Sequence, residues 1–464
     1  KNIRARFKAC LVPGFWVAPF WIPDKLSDAF ERHKDNILKE NGKHVRADIR
    51  WGYGESLKFP PEQRVGFYSL DGSHPRTKEY LREVFENYYK MGIRYFMIDF
   101  LYSGSGSTPG AFLYDEYYDR SKIKGPEVYR EALKEIREAA GKDTYILAST
   151  GPTFQNAGLV DAVRAGPDIG EGRPLISRFG EYPGTYKIEN LNMLNHAVNN
   201  FATTYFAGRK LYHNDAFNVL TVDKPVPLNE ALISASMLAL SGGPVMLGDD
   251  ISSINEDRLS IIKKCLPPCS RTARPIDLFT SGEEPYNCTF SLELREKWDT
   301  WNVIGILNLG EQTRTKIINF EDLSLPEADE YMVYDFWEER YLGRFAGLFK
   351  AAIPPRSVKV YRICKSRAHP WILSTDMHVT QGGVEIEQVL WDNGHKILRG
   401  TCIRPENETG NLVIYLPAGW MPLDYKGLHV AKIGGTNECI LLKPIHFKKE
   451  TMTWTIPLLQ RRLG

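Results

Sequence analysis

The sequence predicts a (β/α)8 barrel followed by antiparallel β-sandwich domains. Over the first 270 residues, apolar strand-like runs alternate with amphipathic helical stretches, the pattern of a parallel sheet covered by helices. Reactive polar residues stand at the C-terminal ends of several of those runs, where a barrel gathers its chemistry. Beyond about residue 270 the helical period fades, and short strands rich in Val, Ile, Tyr and Trp recur between turn residues.

In chain order the predicted strands are Gly14–Phe20, Arg64–Leu70, Ile93–Phe100, Thr144–Ser149, Asp161–Ala165, Lys210–Asn214 and Pro244–Gly248. Between them, Thr77–Lys90 places Leu81, Val84, Phe85 and Tyr88 on one helical stripe. Pro126–Ala140 does the same with Tyr129, Leu133 and Ile136, with Pro126 suited to the first turn and Gly141 to the stop. Asn229–Leu240 and Asn255–Cys265 complete the predicted helices. A doubly wound sheet would favour a Gly-rich phosphate turn after an early strand, and none of that form is present. Seven strands are countable where a barrel needs eight, and Lys1–Cys10 is basic and irregular, so the first strand is expected upstream of Lys1. The expected domains are a barrel over 1–270, a β-sandwich over 271–364 and a second β domain over 365–464, with Lys365–Pro370 as the linker.

Composition narrows the function classes. The chain has 464 residues, 43% hydrophobic and 25% charged, which is an ordinary globular mix. A net charge of +2 without long single-sign runs gives no nucleic-acid footprint, and no apolar run reaches the roughly 20 residues of a membrane span. Aromatic residues make up 12%, which suits sugar stacking and β-rich cores alike. The seven cysteines are odd in number and scattered, so free thiols in a reducing compartment are expected, with a cytoplasmic setting favoured over a secreted one. The ten histidines form no His-x-His or His-x-x-x-His pair, so neither a metal nor a cofactor is expected.

Asp71, Asp99, Arg164, Asp168, Asn214, Asp215, Asp249 and Asp250 fall at or just after strand ends. Asp99 closes the run IRYFMIDF, where an isolated carboxylate needs a partner or a task. Arg164 and Asp168 flank a turn shaped by Gly166 and Pro167, which brings a guanidinium and a carboxylate near one another. Two carboxylates on opposite sides of a sugar ring are what glycoside hydrolysis requires, one ionised and one protonated. A strand-end Asp also serves to cap a following helix, so several polar strand ends in register are needed to mark a site.

Six ordered segments resemble the α-galactosidase-like glycoside hydrolases, clan D, family 36 and more distantly family 27, the melibiases. They are GFWVAPF (Gly14–Phe20), YSLDGSHP (Tyr68–Pro75), GIRYFMIDFLY (Gly92–Tyr102), GLVDAVRAGPDI (Gly158–Ile169), His213–Leu220 and LSGGPVMLGDDI (Leu240–Ile251). The resemblance implies a retaining double displacement on an α-linked oligosaccharide or glycoside. In it Asp99 is the nucleophile, Asp168 the acid/base, and Arg164 contacts the sugar or sets the ionisation of Asp168. It further implies that Trp16 and Asp71 line the sugar pocket and that Asn214, Asp215 and Asp250 contribute to it, and, by analogy, a homo-oligomer. Met97 stands where family members usually carry a Lys that hydrogen-bonds ring hydroxyls, which leaves galactose specificity open. The family's Asp-Asp-Gly segment on the first strand has no counterpart, so the chain is expected to be incomplete as an enzyme. Two alternatives stand beside hydrolysis: a raffinose-synthase-type transglycosidase, and a non-catalytic carbohydrate-binding relative.

Overall fold

Five short strands build the sheet that positions the polar strand ends: β1 (Gly14–Val17), β2 (Tyr95–Ile98), β3 (Tyr145–Ala148), β4 (Ala162–Arg164) and β5 (His213–Asp215). They lie side by side in chain order, and every pairing is parallel. A doubly wound sheet reverses its order at a switch point. This one does not, so it is an arc of a (β/α)8 barrel. The structure is a computed structural model describing residues 11–25, 28–47, 65–105, 107–108, 111–112, 116–122, 126–167, 176–177, 180–181, 190–216, 219–280 and 288–461.

The helices that cover the arc start and stop for local reasons. Helix α1 (Pro75–Lys90) opens on proline behind His74, whose side chain accepts from the Arg76 N–H. Its Thr77, Leu81 and Phe85 are buried, and Phe85 meets Phe96 of β2 edge-on, with ring centroids 4.9 Å apart. Helix α2 (Glu127–Ala140) ends at Gly141, whose φ of 81° a side chain would disfavour. Lys78 and Arg82 of α1 pair with Glu131 and Glu135 of α2.

One predicted barrel strand lies elsewhere. Phe67–Ser69 pairs antiparallel with Trp21–Pro23, and β1 is bonded directly to β2. The chain reverses after β1, where the Trp21 N–H bonds the Ala18 carbonyl, and the reversed segment takes up the hydrogen bonds of Phe67–Ser69. An apolar run carries no record of the direction of its partner.

The chain divides into two units, one of residues 1–165, 172–188 and 210–215, the other of 166–171, 189–209 and 216–464. The five-stranded arc belongs to the first. In the second, the predicted strand Pro244–Gly248 is represented by a single parallel bridge between Leu220 and Leu247.

The second unit is dominated by antiparallel sheets. Thr300–Asn308 lies between Thr289–Arg295 and Ser357–Lys365 in a six-stranded sheet, and it is buried from Trp301 to Asn308. Ile304, Ile306 and Ile363 pack with Ile318, Phe320 and Phe349 in one cluster. Val303, Leu307 and Val360 share another with helix Leu228–Ser241, which is Ala- and Ser-rich and buried from Ile233 to Ser241 save none. A Cβ on Gly305 would come within 2.4 Å of Leu240, so the strand admits that helix only where it lacks a side chain.

Strands from Trp371 to Gln460 form two further four-stranded sheets. Between Trp371–Thr375 and Ile386–Asp392 runs a connection in which Met377 to Gln381 and Glu385 are buried. Its amides find partners: Val379 N–H bonds the Lys264 carbonyl, Thr380 N–H bonds His378 Nδ1, Gln381 N–H bonds the His378 carbonyl, and Gly382 N–H bonds Glu385. Burial and the nearby Arg404 charge hold the His378 imidazole down at about 3. Six described cysteines, Cys265, Cys269, Cys288, Cys364, Cys402 and Cys439, are free, and burial raises each thiol. No helix of the described residues is long and apolar enough to cross a membrane.

Candidate active site

Strand register sorts the candidate residues by face. Trp16, Met97, Leu147, Ala162 and His213 form one row across the arc, and Val17, Ile98, Ala148, Val163 and Asn214 form the next. Side chains alternate along a strand, so the row after that returns to the face of Trp16 and Met97. That row holds Asp99, Ser149, Arg164 and Asp215, with Arg164 directly beside Asp215 in the pairing. Phe96, on the other face, packs on Phe85 and Tyr88 of α1. The Asp99 row therefore faces the barrel interior, at the C-terminal edge where the chemistry of such barrels is built.

Both oxygens of Asp99 are held. The Trp16 indole N–H donates to Oδ2 at 3.1 Å, and the backbone N–H of Phe100 donates to Oδ1 at 2.7 Å. Phe100 itself has a φ of 54°, a left-handed conformation costly for a bulky residue. Its ring is stacked on Trp21 at 4.1 Å and met edge-on by Trp16 at 6.0 Å, while Trp21 is fixed by a 2.8 Å bond to Ser103 Oγ. Trp16 is 53% exposed, so the ring that holds the carboxylate also offers a face to solvent.

Arg164 Nη1 lies 3.4 Å from Ser149 Oγ, a weak bond that links neighbouring strand ends. Asp215 is fully buried, and burial together with its charge pushes the Tyr95 phenol up to about 12. Beneath the row, Tyr145 OH and His213 Nδ1 are 3.0 Å apart.

The remaining candidates stand in other roles. Asp71 is buried, with Oδ1 accepting from Ser73 N–H and Oγ and Oδ2 accepting from Tyr118 N–H, so it anchors two loops. Asn214 is buried in the row that faces the helices. Asp250, in the second unit, is exposed and caps its own turn through Ser252, whose hydroxyl and N–H hold its carboxyl below the usual range. Its neighbour Asp249 accepts from Val222 and Asp223. Asp168 lies outside the described residues. Gly166, two residues before it, has a reason to be glycine: a Cβ there would sit 2.1 Å from the Ala216 carbonyl oxygen. Ser149 and the Phe100 N–H were not among the sequence candidates. A polar residue following the apolar run Thr144–Ala148 was the available signal for Ser149.

Residues 296–363 match the family model for the alpha-galactosidase C-terminal beta-sandwich domain. Similar solved structures include α-galactosidase I of Mortierella vinacea, at 17% identity and a TM-score of 0.45, covering 62% of this chain and 73% of that one. The α-galactosidase of Thermus thermophilus bound to p-nitrophenyl α-D-galactopyranoside is 20% identical with a TM-score of 0.42, covering 60% of this chain and 49% of that one. The isomalto-dextranase of Arthrobacter globiformis is 16% identical with a TM-score of 0.49, covering 96% of this chain and 78% of that one. The match at residues 296–363 is thus to a domain of alpha-galactosidases, and the same chain carries the five-stranded parallel arc.

Proposed function

We propose that this chain is a retaining α-glycoside hydrolase of the α-galactosidase type, with Asp99 as nucleophile and Asp168 as acid/base. The observation that carries the reading is the Asp99 carboxylate, which is oriented through both oxygens on the interior face and stands in register with Arg164 and Asp215. In the first step Asp99 attacks the anomeric carbon, the glycosidic C–O bond breaks, and Asp168 protonates the departing oxygen. Water then attacks the same carbon, passing its proton to Asp168 as the bond to Asp99 breaks. Arg164, within 3.4 Å of Ser149 Oγ, serves to bind the sugar or to keep the acid/base carboxyl in the right state. The substrate is an α-linked oligosaccharide or glycoside. Met97 is buried beside Leu147 in the row below Asp99 and can donate no hydrogen bond, which leaves the choice of sugar open.

A fluorinated α-galactosyl donor is expected to label the peptide that contains Asp99. Labelling at another carboxylate, or turnover of nitrophenyl α-glycosides untouched by Asp99→Asn, would overturn the reading. A panel of nitrophenyl α-glycosides settles the sugar, and silence on all of them favours the non-catalytic carbohydrate-binding relative. The half-exposed Trp16 ring beside Asp99 also suits stacking of an acceptor sugar, as a transglycosidase of the raffinose-synthase type needs. Product analysis with added acceptor sugar separates transfer from hydrolysis.

A further inference from the structure

We infer that Trp16 is a positioning residue for the second half of the reaction: its indole N–H receives the charge that returns to Asp99 when the glycosyl-enzyme is hydrolysed. This rests on the proposed retaining mechanism, and goes beyond a sugar-lining role for the ring. The observations are the 3.1 Å bond from Trp16 Nε1 to Asp99 Oδ2, the 2.7 Å bond from Phe100 N–H to Oδ1, and the left-handed φ of 54° at Phe100, which follows directly on Asp99. The edge of Trp16 against Phe100 ties the two donors into one clamp.

The two chemical steps use this clamp in opposite senses. When Asp99 attacks, its oxygen shares an electron pair with the anomeric carbon, the aglycone leaves with the other bonding pair, and the carboxylate loses its negative charge. The N–H bonds weaken in that step, because a donor holds a carboxylate more tightly than an ester. When water attacks, the C–O bond to Asp99 breaks, the electron pair and the charge return to the carboxylate, and the water proton goes to the acid/base. Both N–H bonds now strengthen toward the transition state, and only an interaction stronger there than in the ground state speeds the step. Trp16 therefore favours release of the covalent intermediate over its formation.

A purely steric role for Trp16 gives a different kinetic signature. Trp16→Phe keeps an aromatic wall and removes the donor, and Trp16→Leu removes the donor in a smaller apolar side chain. Each is expected to lower kcat by about tenfold or more, the usual scale for one hydrogen bond to a charged group. KM should fall with kcat, because the glycosyl-enzyme accumulates, and a burst of nitrophenol should appear before the steady state. The assay uses the whole chain and whichever nitrophenyl α-glycoside the wild type hydrolyses fastest. Circular dichroism selects the variants that keep the native fold.

If both folded variants retain the wild-type kcat and show no burst, the inference is overturned while the hydrolase reading stands. A raised KM at unchanged kcat likewise reduces Trp16 to a wall for the sugar. Failure of the fluorinated donor to label Asp99 in the wild type overturns the underlying reading and this inference with it.

Discussion

Asp99 and Asp299 are both 8% exposed, yet the molecule treats them in opposite ways. Asp299, among the antiparallel strands, accepts from Arg367 at 2.6 Å, from Trp371 Nε1 at 2.8 Å and from Arg362 at 3.4 Å. Arg362 is itself fully buried, lies over the Trp301 ring at 4.2 Å, and donates to the Gln381 carbonyl. Among the described residues, Asp99 is held by two uncharged N–H donors. Equal burial thus tells nothing about role; the partners do. A carboxylate flanked by two guanidinium groups has its charge compensated in place and serves the fold, while one oriented by two uncharged donors suits the nucleophile role proposed above.

Asp99→Asn gives the sharpest test of that contrast. It is expected to cost more than about 10³-fold in turnover, as loss of a covalent nucleophile does, with little change in thermal unfolding. A large loss of stability would instead make Asp99 a structural residue like Asp299. The converse variant, Asp299→Ala, is expected to destabilise the protein by about 3–5 kcal/mol in denaturant melts, because it leaves a buried Arg362 uncompensated. Intact stability there would break the comparison from the other side.

His378 supplies a smaller, pH-dependent effect in the same β-rich region. Its folded pKa of about 3 lies below the ordinary imidazole value of 6.5, so the unfolded chain binds the proton that the folded one refuses. The stability it contributes is present above pH 6.5 and is lost as pH falls toward 3. The slope in that window is at most about 1.4 kcal/mol per pH unit, and His378→Gln should flatten it in melts run across the range. Ser149→Ala should have the mildest effect of the set. Its 3.4 Å contact to Arg164 is weak, so a loss in kcat/KM of about fivefold or less is expected, at most about 1 kcal/mol.

Much of the barrel arc was legible because its strands are short apolar runs that end in polar residues. Ile93–Phe100 and Thr144–Ser149 each contain the observed strand. The run Arg64–Leu70 predicts a parallel strand, but its Phe67–Ser69 pairs antiparallel, because hydrogen-bonding direction leaves no trace in such a run. In the candidate site, Asp99, Arg164 and Asp215 fall in one row, as polar strand ends suggested. Asp71 and Asp250 fold into turns through serines two residues onward, and that local spelling is the same as for a reactive strand end. The Trp16 indole bond needs the register between two strands, and the Asp299 cluster joins residues 63 to 72 positions apart. Neither is visible in a stretch of sequence.

The buried connection between Trp371–Thr375 and Ile386–Asp392 has one more consequence. It has no strand or helix regularity, and loops of that kind normally exchange their amide hydrogens quickly. Here the amides of Val379, Thr380, Gln381 and Gly382 are bonded to neighbours in the interior. In heavy water these four should keep their protons about as long as the central strand Thr300–Asn308, through openings that unfold the surrounding sheets together. By that measure, this irregular segment is expected to exchange with the slowest core of the protein.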